Sequence, residues 1–188
     1  MSIDPNTSSK HESPVLHPRC CCRQVVVEGQ KFAFHLVPCG VVYPHTQNVL
    51  GNGVVIHIPQ MFKELAPLTD QGIQWEGRMK MSNRAHLLFQ FHREIDAMME
   101  ARRGDSNIGT TKKGIGPCYS TKAFRNGIRV GMLKDMTSFE ENYNTTVSQL
   151  EDWFGKMPYD TREELDMYKV SVPSNLIIAH MSIYGNNH

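Results

Sequence analysis

Residues 107–130 constrain this chain more tightly than any other stretch. Gly109-Thr110-Thr111-Lys112-Lys113-Gly114-Ile115-Gly116-Pro117 is followed by Lys122, Arg125 and Arg129, and the whole lies between two runs of helical periodicity. Gly109, Gly114 and Gly116 permit tight bends that turn backbone N–H groups toward an anion. Thr110 and Thr111 add hydroxyl donors, the lysines add charge, and an arginine can grip a phosphate through two parallel hydrogen bonds. The residue chemistry points to a phosphate-binding loop. A solvated surface turn stays open as an alternative, because no Gly-x-x-x-x-Gly-Lys-Ser/Thr sequence is present. Nucleic-acid binding is the weaker alternative. The chain has a formal charge of only +1, and just Tyr119 and Phe124 stand in the segment for stacking.

Around this segment the apolar periods predict a mixed α/β order. Val25–Val27, a Gly29-Gln30 turn and Lys31–Val37 read as a strand hairpin. Asn48–Ile58 reads as a strand interrupted by Gly51-Asn52-Gly53, and Pro59–Leu68 as a short helix ended by Asp70-Gln71-Gly72. Leu88, Phe91, Ile95, Met98 and Met99 recur at helical spacing and predict a helix over 84–103, capped by Ser82 or Asn83. That stripe is a core face, with a dimer face as the alternative. Thr137 with Glu140, and Thr161 with Glu164, read as capping boxes opening two further helices, the first with Phe139, Tyr143, Val147, Leu150 and Phe154 inward. From about Val170 the pattern fades, and no element is predicted over 172–188.

Residues 1–24, rich in Pro, Ser, Asn, His and charge, read as a disordered leader. Its Cys20-Cys21-Cys22 run lacks the Cys-x-x-Cys spacing that closes two thiolates on one zinc, so no metal site is expected. The hydrophobic fraction of 40 % and charged fraction of 21 % are those of an ordinary globular chain. No apolar run is long enough to span a bilayer, and no secretory signal is recognisable, so the expectation is a cytoplasmic protein with neither membrane nor nucleic acid as partner.

The segment Gly114-Ile115-Gly116-Pro117-Cys118-Tyr119-Ser120-Thr121-Lys122-Ala123-Phe124-Arg125 resembles, position for position, the adenylosuccinate synthetase signature Gly-Ile-Gly-Pro-x-Tyr-x-x-Lys-x-x-Arg. Ile108–Lys113, Phe34–Gly40, Leu50–Val55 and Gly127–Val130 are similar to flanking blocks of that family, in the same order. The resemblance implies a P-loop-NTPase-like α/β fold, here partial, with an incomplete central sheet and flanking helices over 25–170. It leaves 1–24 and 171–188 outside the family domain. It implies a homodimeric ligase that uses GTP and Mg2+ to join IMP and L-aspartate into adenylosuccinate, in AMP biosynthesis. By the same resemblance Thr111 contacts the IMP phosphate, Arg125 reaches the IMP of the partner subunit, and Lys122 serves catalysis. His35 and Arg129 match positions near the site.

The family's glycine-rich GTP loop, whose aspartate is the general base, is missing from this sequence. So are the block carrying its histidine general acid and the loops for aspartate and the guanine base. A general acid or base typically contributes about 100- to 10,000-fold in rate. The expectation is therefore a fragment that is inactive alone, with a non-catalytic truncated paralogue that dimerises with the full-length enzyme as the alternative.

Overall fold

A computed structural model describes residues 23–27, 29–104, 109–171 and 177–179. The Cys20–Cys22 run, and the leader apart from its last two residues, lie outside the described residues. Strands β1 (Arg23–Val27) and β2 (Gln30–Phe34) form the expected antiparallel hairpin, beginning two residues earlier than its apolar pattern. Gly29 turns it with φ of +81°. The second strand stops at Phe34, not Val37, because the Glu64 carboxylate accepts the N–H groups of His35, Leu36 and Val37 at 2.9, 3.0 and 3.1 Å. Three consecutive donors aimed at one oxygen cannot also serve a strand ladder.

The glycine-interrupted strand is two strands, β3 (Asn48–Leu50) and β4 (Val55–Ile56). Each has a parallel partner that the apolar period did not reveal, β5 (Met79–Ser82) and β6 (His86–Leu87). Asn48 faces Met79 and Val55 faces His86, so both pairs keep the same offset of 31 positions. The two pairs are therefore one parallel ribbon interrupted at the same height on both sides. Strand β7 (Ile177–Ala179) pairs parallel with β5, so the segment in which no element was expected contributes a strand. Three residues are too few for a strand period to show.

Among the described residues five α-helices flank these strands: α1 (Ile58–Asp70), α2 (Gln90–Arg102), α3 (Ile115–Ala123), α4 (Met136–Phe154) and α5 (Thr161–Ser171). The expected helix over 84–103 is shortened at its start. The Ser82 hydroxyl accepts the Arg84 N–H at 3.2 Å in a turn, β6 follows, and α2 begins where His92 Nδ1 accepts the Phe89 N–H at 3.1 Å. Leu88 thus precedes the helix. Two expected capping boxes also give way to aspartates. Asp135 accepts the N–H groups of Thr137 and Ser138 at 3.1 and 3.3 Å, and Asp160 that of Arg162 at 2.8 Å. The apolar face expected on α4 is present, with Phe139, Tyr143, Val147 and Leu150 buried.

An aromatic cluster joins the helices. Phe89 lies 5.1 Å from Phe91, 5.2 Å from Tyr143 and 4.9 Å from Tyr168, ring centre to ring centre. Beside it Glu164, only 6 % exposed, accepts hydrogen bonds from the Gln90 N–H (2.6 Å), Tyr143 OH (2.7 Å) and Tyr159 OH (2.8 Å). Glu164 therefore does not serve the expected capping box with Thr161: the side chain turns inward and ties α5 to the start of α2 and to α4. A carboxylate placed there satisfies three donors, and removing it strands them at about 1–3 kcal/mol each. Glu164→Ala is expected to lower unfolding free energy by about 3 kcal/mol or more in urea melts, against about 0.5 kcal/mol for exposed Arg162→Ala. A Glu164→Ala loss no larger than the Arg162→Ala loss would contradict this role.

Candidate functional site

The segment from Gly109 to Arg125 is carried on α2. Gly114, with φ of +74°, ends the loop and opens α3. A Cβ there would fall 2.7 Å from both the Arg93 nitrogen and the His92 carbonyl carbon, so only glycine lets α3 start this close to α2. Gly109 also bends left-handed, at +70°. Gly116 does not: with Pro117 it lies in the first turn of α3, where proline loses no helical hydrogen bond. Its expected part in the turn is thus corrected.

The far end of α3 is latched to α2 as well. His92 Nδ1 is occupied by the Phe89 N–H, so the ring proton sits on Nε2, 3.1 Å from Thr121 Oγ1, and the Thr121 hydroxyl donates to the Cys118 carbonyl at 2.9 Å. Tyr119 donates from its hydroxyl to the Gly53 carbonyl at 2.8 Å, joining α3 to the glycine break of the ribbon. Cys118 is buried, donates to the Leu87 carbonyl, and has its thiol pushed up to about 12 by burial, which excludes a nucleophile's role.

Thr111 stands exposed in the loop before α3. Lys122 is on the last turn, its ammonium 5.7 Å from the centre of the Tyr119 ring. Arg125 is exposed just beyond the helix with a left-handed φ of +65°. Nine helical residues separate the ends of α3, about 13 Å at 1.5 Å per residue. The structure thus brings Lys122 and Arg125 to one end and Thr111 to the other. Arg129 is exposed, in a backbone bridge with His86, and Phe124 with Trp153 forms an exposed T-shaped pair beside Arg125 at 6.0 Å.

A cavity of about 180 Å3 opens beside the loop. Val55, His57 and Leu88 place it at the carboxyl ends of β4 and β6, where open α/β sheets hold their ligands. Arg93 and Lys113 supply positive charge, His35 and Gln60 polar edges, and Ile115 an apolar wall. His57 Nδ1 accepts the Gln60 N–H at 3.1 Å, and burial, then the charges of Arg93 and Lys63, lower its pKa to about 4. It is a neutral donor through Nε2. Arg93, His57 and Gln60 are not marked by the sequence, since His57 and Gln60 open α1 while Arg93 lies on α2, more than thirty positions away. The Leu88–Met99 stripe is core: Leu88, Phe91 and Ile95 are buried and only Met99 is exposed among its large side chains.

Residues 19–181 match the family model described as adenylosuccinate synthetase. The chain belongs to the adenylosuccinate synthetase family. It is 49 % identical over 145 residues to adenylosuccinate synthetase 1, chloroplastic, of Capsicum frutescens, a match covering 76 % of this chain and 28 % of that one. It is 46 % identical to the Phaeodactylum tricornutum adenylosuccinate synthetase, covering 77 % and 28 %. The fully ligated Plasmodium falciparum adenylosuccinate synthetase superposes with a TM-score of 0.71 at 39 % identity, over 79 % of this chain and 35 % of that one. The chain thus spans less than a third of the length of these curated relatives. The family's α/β fold is present, as parallel and antiparallel strands with flanking helices. No helix among the described residues is long and apolar enough to cross a membrane.

Among the described residues no group of three or more His, Cys, Asp or Glu side chains is placed to hold a metal ion, and the acids nearest the loop, Asp96 and Glu100, face backbone N–H groups.

Three histidines near α2 and α3 are held neutral. Burial first, then Lys122 and Arg129, lowers His86 to about 4, and burial, then His86, lowers His92 to about 3. With folded values below the unfolded 6.5, unfolding takes up protons, so this stability is complete above pH 6.5 and drains away as pH falls toward the folded values. From His92 alone, unfolding free energy at pH 5 is expected to be about 2 kcal/mol below its value at pH 7.5. Urea melts across this range check it, and His92→Gln should flatten the profile. A pH-independent wild-type profile contradicts the assignment.

Proposed function

We propose that this chain supplies the IMP-phosphate side of an adenylosuccinate synthetase site, with Thr111 binding the phosphate, Arg125 reaching the IMP of a partner subunit and Lys122 assisting the reaction. The observation that carries the reading is the loop itself: an exposed threonine between two left-handed glycines, beside a cavity edged by Arg93 and Lys113. A 5′-phosphate carries nearly two negative charges and is held by charge-assisted donors. Thr111 contributes a hydroxyl donor, and Lys113 and Arg93 contribute field. The length of α3 puts Arg125 out of reach of the phosphate at Thr111, which supports its use by a second subunit. The exposed Phe124–Trp153 pair, 68 % and 58 % exposed, gives such a homodimer an apolar anchor next to Arg125.

In the whole reaction GTP phosphorylates the IMP 6-oxygen with Mg2+ and L-aspartate displaces that phosphate. The family's glycine-rich GTP loop and histidine block have no match in the sequence, and we infer that the chain alone binds IMP and does not turn it over. The same surface favours a second reading, a non-catalytic paralogue docking on a full-length subunit and lending it Arg125. We propose further that the family domain occupies 25–170, between a leader and a tail, and works in the cytoplasm, although the family model matches 19–181 and several plant relatives carry the word chloroplastic in their names.

Titration with IMP followed by amide NMR tests the reading. Shifts are expected to centre on Thr111–Lys113, and Thr111→Ala to weaken binding about tenfold, the worth of one charge-assisted hydrogen bond. Shifts confined to other elements, or equal binding by Thr111→Ala, would sink it. Incubation of the chain with IMP, GTP, Mg2+ and aspartate is expected to yield no adenylosuccinate, and any turnover would overturn the inferred inactivity.

A further inference from the structure

Asp96 and Glu100 lie four residues apart on α2, on the face that meets the glycine loop. Residues four apart on a helix stand one above the other. Glu100 is buried, and one of its oxygens accepts the N–H of Gly109 at 2.5 Å and that of Thr110 at 3.2 Å. Its other oxygen faces Arg103 at 3.6 Å. Asp96 accepts the N–H of Gly114 at 3.0 Å. The two acids thus hold opposite shoulders of the loop, five positions apart in sequence. Between them stand Thr111, Lys112 and Lys113, with Lys112 in the left-handed region at φ of +51°. That conformation costs a non-glycine residue roughly 1–2 kcal/mol, and it persists where its surroundings fix it.

We infer that Asp96 and Glu100 are positioning residues, a pair of carboxylate staples that fix both shoulders of the loop so that Thr111 stands at its apex for the phosphate. The inference rests on the phosphate reading of Thr111. It assigns a different task to each part of the loop: the shoulder amides answer to the chain's own anions, and the apex answers to the ligand's. A loop free at its shoulders would have to be ordered by the ligand, at a cost in affinity. The staples meet that cost during folding. One oxygen of each carboxylate meets N–H donors at the loop, and the second Glu100 oxygen lies 3.6 Å from Arg103, so both anions stand near an anionic ligand with donors or a cation beside them.

Amide hydrogen exchange and IMP titration of the chain separate this inference from the function it rests on. In the free wild-type chain the amides of Gly109, Thr110 and Gly114 are expected to be protected. Glu100→Ala should speed exchange at Gly109 and Thr110, and Asp96→Ala at Gly114, each by about tenfold or more. The double alanine variant should bind IMP about tenfold more weakly. Asp96→Asn with Glu100→Gln keeps an acceptor oxygen at each shoulder but not the charge, and is expected to fall between wild type and the double alanine variant in both readouts, a graded rescue that a loss of general stability would not show. Wild-type amides 109, 110 and 114 exchanging at unprotected rates would overturn the staples whether or not any variant folds. So would alanine variants that keep wild-type protection and wild-type IMP affinity. Protected amides in a chain that binds no IMP would leave the stapled shoulders standing, while removing both the phosphate role of Thr111 and the positioning role built on it.

Discussion

The contact between Gly114 and the backbone of α2 is the constraint on which the site depends. With the missing side chain restored, α3 would have to retreat from Arg93 and His92, and everything after it in the signature would move. The contact fixes where the loop ends and where α3 begins. The His92–Thr121 hydrogen bond then fixes the far end of the same helix, one residue before Lys122. Two grips on one nine-residue helix determine its position and its rotation. Thr111, Lys122 and Arg125 are thereby set by α2, which itself contributes only Arg93 to the cavity edge.

A second theme is the use of buried and half-buried acids against backbone N–H groups. Glu64 gathers three amides after β2, Glu100 two and Asp96 one around the loop, and Glu164 one at the start of α2 together with two tyrosine hydroxyls. Each sits on a helix and pins a segment distant in sequence or a loop beside that helix. A carboxylate suits this task because it accepts several donors at once, and hydrogen bonds to a charged acceptor are about twice as strong as neutral ones.

Much of the architecture could be read from sequence where a period ran long enough. The hairpin, the inward face of α4 and the family signature were legible because each repeats a local rule over many residues. The short parallel strands were not, since β5, β6 and β7 span only two to four residues and are held by partners tens of residues away. The helix over 84–103 was drawn too long because Leu88 fits the helical period by coincidence, while His92, not Ser82, marks the start. The glutamates of the expected capping boxes illustrate a different failure. A Thr-x-x-Glu spacing is compatible with a local cap, but Glu164 gains three donors by turning inward, and a neighbouring aspartate takes over the cap. Of the site, the loop and signature were visible in the residues. The cavity edge of Arg93, His57 and Gln60 was not, because only the fold brings those elements together.

The central claim is that this loop recognises the phosphate of its nucleotide. Calorimetric titration of the chain with IMP and, separately, with inosine tests it most directly, because the two ligands differ only in that group. The account expects IMP to bind at least about tenfold more tightly than inosine, with the difference shrinking as salt screens the charges. Equal affinities for the two, or a preference for IMP that salt leaves unchanged, would contradict it.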